Sequence, residues 1–193
     1  MKRITVFCGS SAGAQPIYQQ QATELGTKLA QANIELVYGG AKIGLMGAVA
    51  DAVMSNGGKV TGVLPAFLKA KEIAHTGLTQ LIVVNSMHER KTKMNELCDG
   101  VIALPGGFGT LEELFEMLTW AQLGLHQKPI GLLNTNHFYD SLVQLIQLMH
   151  QQGFVKDINM QMIIISPTID NLLEKMNAYV APTVNKWINE ETI

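Results

Sequence analysis

Cysteine, aromatic residues and charge are all scarce in this chain of 193 residues. Only two cysteines occur, Cys8 and Cys98, and neither belongs to a CxxC pair. That excludes a disulfide framework and suits a reducing compartment. The histidines, His75, His88, His126, His137 and His150, form no HExxH and no paired Cys/His spacing, so no metal site is expected. Charged residues make up 16% and the formal net charge is −2. No global positive field therefore draws the chain to nucleic acid or to an anionic membrane. No apolar run approaches the roughly 18–20 uninterrupted residues of a membrane span. Residues 1–7 pass directly into a strand-like segment, without the apolar stretch or small-residue cleavage site of a secretory signal. A cytoplasmic protein is expected.

What is abundant is apolar residue, at 47%, together with 18 glycines. The length suits one domain over residues 1–193 with a sizeable core. Short runs rich in Val, Ile and Leu predict strands at 4–7, 35–38, 59–63, 81–84, 100–104, 129–133 and 162–165. Helical periodicity fills the intervals at 16–32, 45–56, 87–97, 111–123, 139–151 and 168–177, with a further short helix possible from Pro182. Gly57-Gly58 and Gly153 stand where helices should stop. This alternation predicts a three-layer α/β, Rossmann-like fold with a mostly parallel central sheet flanked by helices.

Glycine-rich turns follow three of the predicted strands: Cys8-Gly9-Ser10-Ser11, Gly39-Gly40-Ala41-Lys42-Ile43-Gly44 and Pro105-Gly106-Gly107-Phe108-Gly109-Thr110. In open parallel sheets ligands bind beyond the carboxyl ends of the strands, so all three turns should open on one edge. The third is the best anion site. Its glycines allow close backbone approach, and the helix expected to begin near Leu111 would point its free N–H groups at the loop. Neither GxGxxG nor the Walker lysine is present, which disfavours a dinucleotide enzyme and a P-loop triphosphatase. A single phosphate fits one such cradle.

Glu113 has two readings. Thr110-Leu111-Glu112-Glu113 matches a capping box, with Thr110 as N-cap and Glu113 reaching back. Beside an anion cradle, the same carboxylate is placed to meet ribose hydroxyls or a cationic sugar. A second box, Ser86-Met87-His88-Glu89, opens the helix carrying Arg90 and Lys91 and brings a guanidinium to the same edge. Asp51, Glu112 and Glu116 are further acidic candidates. Phe108 and Trp120 are candidates to stack on a base, although the spacing of Trp120 from Met117 and Leu123 also fits core. His88 reads as surface.

Residues 105–113 and Met87-His88-Glu89-Arg90-Lys91 resemble the PGGxGTxxE and MHxRK signatures of the LONELY GUY (LOG) family, the cytokinin riboside 5′-monophosphate phosphoribohydrolases. Phe7-Cys8-Gly9-Ser10-Ser11, Val37-Tyr38-Gly39-Gly40, Gly44-Leu45-Met46-Gly47 and Trp120-Ala121-Gln122-Leu123-Gly124 also look like family segments. The resemblance implies hydrolysis of the N-glycosidic bond of an N6-modified AMP, giving free base and ribose 5-phosphate without a cofactor. It implies Arg90 and Glu113 as catalytic residues. Substrate contacts would come from Glu72, Lys91, Gly106, Gly107, Phe108, Gly109, Thr110, Leu111, Glu112 and Thr119, with Ser10 and Gly40 on the other two turns. It also implies a homodimer; the Met and Leu residues of the 87–97 and 111–123 helices are candidates for that contact and equally for the core. Ala41 and Lys42 depart from a GGG-x-x-G pattern frequent in plant members, which bears on specificity.

Many members carry the label "lysine decarboxylase-like". A pyridoxal-phosphate enzyme needs a Schiff-base lysine with a pyridinium partner, and Lys91 and Lys93 have no such context. Two rival readings stand beside the hydrolase: a non-catalytic nucleotide or phosphate carrier on the same fold, and a broader purine 5′-monophosphate nucleosidase acting on plain AMP.

Overall fold

The computed structural model describes residues 1–69 and 74–183. Its strands are β1 (Arg3–Phe7), β2 (Glu35–Tyr38), β3 (Val60–Pro65), β4 (Gln80–Val84), β5 (Gly100–Ala103), β6 (Ile130–Leu133) and β7 (Ile163–Ser166). They form one sheet in the order β4-β3-β2-β1-β5-β6-β7, and every pairing is parallel. All seven predicted strands are present. The sheet is wholly parallel among the described residues, where the sequence predicts a mostly parallel one.

The helices are α1 (Pro16–Gln31), α2 (Gly44–Ser55), α3 (Ala66–Lys69), α4 (Met87–Leu97), α5 (Phe108–Gln122), α6 (Asp140–Gln151), α7 (Asp157–Met160) and α8 (Ile169–Asn177). Alternation along each strand divides the core. Ile4, Val6 and Cys8 of the first strand pack with α1, α2 and α8, while Phe7 faces Met94 of α4 and Leu114 and Met117 of α5. Both faces of the sheet are thus covered, which is why these strands read as continuous apolar runs. Gly57 (φ 73°) and Gly153 (φ 80°) follow the ends of α2 and α6 in the left-handed conformation expected of helix stops.

Three short elements lie outside the prediction: α3, α7 and a 3-10 turn at Thr135–His137. The helix expected from Pro182 lies, beyond residue 183, outside the described residues, as does Glu72.

Strand order places the site. From β1 the chain runs outward through β2, β3 and β4, then returns to the other side of β1 to build β5, β6 and β7. The order reverses between β1 and β5, and a crevice opens at such a switch point beyond the strand carboxyl ends. The turns after β1, β2 and β5 all lie there.

Candidate active site

Backbone hydrogen bonds stitch the three turns together. Gly9 N donates to Pro105 O (3.1 Å) and Leu45 N donates to Gly9 O (3.1 Å), so the first turn bridges the other two. Side chains are excluded at the contact. A Cβ on Gly106 would lie 2.1 Å from Thr110 Oγ1 and 2.9 Å from Gly9 N.

Between these turns lies a cleft of about 290 Å³, lined by Cys8, Ser10, Gly39, Arg90, Glu113 and the Gly107–Thr110 loop, with Met46 and Met87 at its apolar margin. A larger hollow of about 590 Å³ opens at the opposite sheet edge, beside Asn33, Gly57 and Leu97. Helix carboxyl ends ring that hollow, and its charged lining is mixed, with Lys2, Arg3 and Lys59 beside Glu35, Glu96 and Asp99.

The capping-box reading of Glu113 is corrected by the helix start. Helix α5 begins at Phe108 with Gly107 as N-cap, and no side chain caps it. Thr110 is therefore inside the first turn, and no acidic residue occupies that turn. The free amides of its opening residues face the cleft uncapped, an arrangement that favours an anion. Glu113, displaced into the second turn, turns inward instead of capping.

There it meets Arg90. Arg90 Nη1 donates to Glu113 Oε1 at 2.6 Å, and the two side chains are only 10% and 9% exposed. Arg90 Nε donates to Val63 O at 3.2 Å. Burial pushes the Glu113 carboxyl above its usual range, and the Arg90 guanidinium opposes that rise. Burial also pushes the Cys8 thiol up, and the Glu113 charge adds to this, so Cys8 is held as a thiol without nucleophilic character. Half of the second predicted box forms as expected: Ser86 Oγ accepts from Glu89 N (3.1 Å), while Glu89 Oε2 accepts from Asn85 N (2.7 Å), one residue before the N-cap. It anchors the start of α4, one turn before Arg90.

The remaining predicted residues divide. Ser10, Gly107, Phe108, Gly109, Thr110 and Glu112 line the cleft with Arg90 and Glu113. Phe108 projects from it, 95% exposed. Lys91 bonds Glu112 Oε1 (2.5 Å) and Glu116 Oε1 (3.0 Å), tying α4 to α5. Lys93 pairs with Glu96 (2.9 Å). Leu111 packs toward the core. Gly40 (φ 76°) shapes its turn, its carbonyl accepting from His75 N (2.8 Å). Thr119 is exposed, its hydroxyl donating to Phe115 O (2.7 Å), and by helical rise it stands roughly 14 Å along α5 from Thr110. Asp51 pairs with His75 (3.1 Å) away from the cleft, His88 is exposed, and Trp120 packs against the core.

Sequence reasoning did not find Gly39, Met46, Met87 or Cys8 as cleft residues, nor the Val63 carbonyl as a partner of Arg90. The first four sit in segments that were legible as turns or helix starts. A backbone carbonyl leaves no signature at all.

Residues 46–176 match a family model described as "Possible lysine decarboxylase". The cytokinin riboside 5′-monophosphate phosphoribohydrolase LOG1 of Arabidopsis thaliana is 48% identical over 93% of this chain and 84% of its own length. The rice phosphoribohydrolase LOG (Oryza sativa subsp. japonica) is 46% identical over 93% of this chain and 74% of its own. Among solved structures, the molybdenum cofactor binding protein of Rippkaea orientalis superposes with a TM-score of 0.70 at 24% identity, covering 92% of this chain and 97% of that one. The molybdenum cofactor carrier protein of Chlamydomonas reinhardtii gives 0.70 at 20%, covering 92% and 98%. At such identities these likenesses speak for the fold alone. Identity of 48% across nearly the whole chain speaks for more: the chain belongs to the LOG family, whose curated members are named cytokinin riboside 5′-monophosphate phosphoribohydrolases.

Proposed function

We propose that this protein hydrolyses the N-glycosidic bond of an N6-modified adenosine 5′-monophosphate, releasing the free base and ribose 5-phosphate. One observation carries the reading: a buried Arg90–Glu113 ion pair beside an uncapped helix N-terminus, in a single cleft at the switch point. A carrier has no need of a desolvated carboxylate held against the ligand, since burying one is costly.

The opening amides of α5 hold the 5′-phosphate, with Thr110 close by, and that anchor fixes the ribose over Glu113. Cleavage develops positive charge on the sugar. The Glu113 carboxylate stabilises that charge and orients water. The water oxygen bonds to C1′, the C1′–N bond breaks, and the water proton ends on the departing base. Arg90 keeps Glu113 ionised and oriented against the pull of burial. Only one carboxylate acts, so the two-carboxylate scheme of ordinary glycosidases does not apply. The protein acts as a single-domain cytoplasmic enzyme and as a homodimer.

Incubating purified protein with N6-isopentenyladenosine 5′-monophosphate, AMP, GMP and CMP, followed by chromatography, tests the reading. Free base and ribose 5-phosphate in equal amounts are expected, with the modified nucleotide preferred. Tight AMP binding with no product from any nucleotide would leave the carrier reading instead. Equal rates on AMP and the modified nucleotide would favour the broader nucleosidase.

A further inference from the structure

We infer that Gly39 is a positioning residue for the reaction, because its missing side chain is what admits the Arg90 guanidinium to Glu113. Gly39 directly follows β2 and lines the cleft. A Cβ placed there would stand 2.2 Å from Arg90 Nη2 and 3.3 Å from Arg90 Cζ, with Met46 Sδ at 3.0 Å. Carbon and nitrogen do not approach that closely without displacement. The requirement is one of space. Gly39 is absent from the positive-φ glycines, whereas its neighbour Gly40 is among them at φ 76°, so other residues can adopt the Gly39 backbone.

Ordinarily the far end of a flexible side chain would yield. Met46 can do so, but the guanidinium is held from two other sides. Its Nε is bonded to Val63 O and its Nη1 to Glu113 Oε1, while Arg90 itself is 8% exposed within α4. A methyl at position 39 therefore evicts Nη2 and pulls the forked donor off Glu113. The opening amides of α5 belong to a different turn and keep their geometry. The effect falls on the carboxylate, leaving the phosphate anchor intact.

The inference rests on the hydrolase reading for its kinetic consequence, though not for the contact itself. Two measurements separate them. In the product assay, Gly39→Ala should lower kcat by about 100-fold, the scale of a 1 Å misplacement at a reacting centre. The Kd for AMP should stay within about twofold. Thermal unfolding of Gly39→Ala, Arg90→Ala and the double variant gives a cycle independent of turnover. Gly39→Ala should lower the midpoint in the parent but not in the Arg90→Ala background, where the methyl has room. Equal losses in both backgrounds, or an unchanged kcat, would overturn the assignment. An inactive parent protein would defeat the hydrolase reading, while the unfolding cycle would still decide whether Gly39 acts through Arg90.

Discussion

Arg90→Ala should unmask how much of the fold leans on the charge inside the cleft. The variant removes the cation 2.6 Å from Glu113 and leaves the carboxylate, 9% exposed, with its charge uncompensated. The Val63 carbonyl loses the donor of its 3.2 Å bond as well. Breaking one half of such a buried pair costs about 3–5 kcal/mol, because the remaining ion keeps its desolvation penalty without its Coulombic return. Glu113 has an escape, since burial already pushes its carboxyl up and loss of Arg90 pushes it further, so the folded variant takes up a proton. Between the ordinary Glu range and this raised value the folded state binds more protons than the unfolded one. Stability therefore falls as pH rises through that window and is flat above it. In urea unfolding at constant m, the loss should be about 3 kcal/mol at pH 8 and clearly smaller at pH 5. A thermal scan should show roughly 6–12 °C at the higher pH for a chain of this size. Arg90→Met combined with Glu113→Leu should recover most of that stability while remaining inactive, because an apolar pair of similar volume removes both buried charges. A loss below about 1 kcal/mol at pH 8, or one independent of pH, would refute the reasoning, since exposed pairs behave that way.

Three further outcomes follow from the geometry. The acid limb of kcat should lie above the usual carboxylate range and kcat should fall as pH drops through it, because Glu113 must be ionised and burial raises it; a limb in the ordinary Glu range would contradict this. Gly106→Ala should impair both folding and AMP binding, since its methyl would meet Thr110 Oγ1 and Gly9 N where the turns join; calorimetric titration of the soluble variant measures the second effect. Phe108→Ala should change stability by less than about 0.5 kcal/mol, as a 95% exposed residue predicts, while raising KM for a nucleotide whose base stacks on the ring.

How much of this was legible in the sequence follows from which interactions are local. Strands buried on both faces leave unbroken runs such as Val101–Leu104, and the six long helices leave apolar periodicity, so the layers and their order of appearance could be read directly. Helices of four residues, Ala66–Lys69 and Asp157–Met160, are about one turn long and carry no period. The start of α5 was misplaced because Thr110 and Glu113 have the spacing of a capping box. Gly107, with no side chain, caps instead, leaving the amides open and turning Glu113 inward. The contacts that give Glu113 its chemistry, with Arg90 on another helix and through it with Val63 on a strand and Gly39 in the turn after β2, join distant parts of the chain. Spacing alone could not show them. The resemblance around residues 87–91 and 105–113 named the pair, and the fold shows how it is assembled.

The most direct test sets Glu113→Gln beside the parent protein, with product release from N6-isopentenyladenosine 5′-monophosphate and AMP binding measured on the same preparations. The amide still accepts from Arg90 and preserves the packing, but it cannot stabilise a sugar cation. The account predicts that free base and ribose 5-phosphate appear with the parent, and that the variant turns over at least about 100-fold more slowly with AMP affinity nearly unchanged. Equal turnover by the two proteins would contradict it.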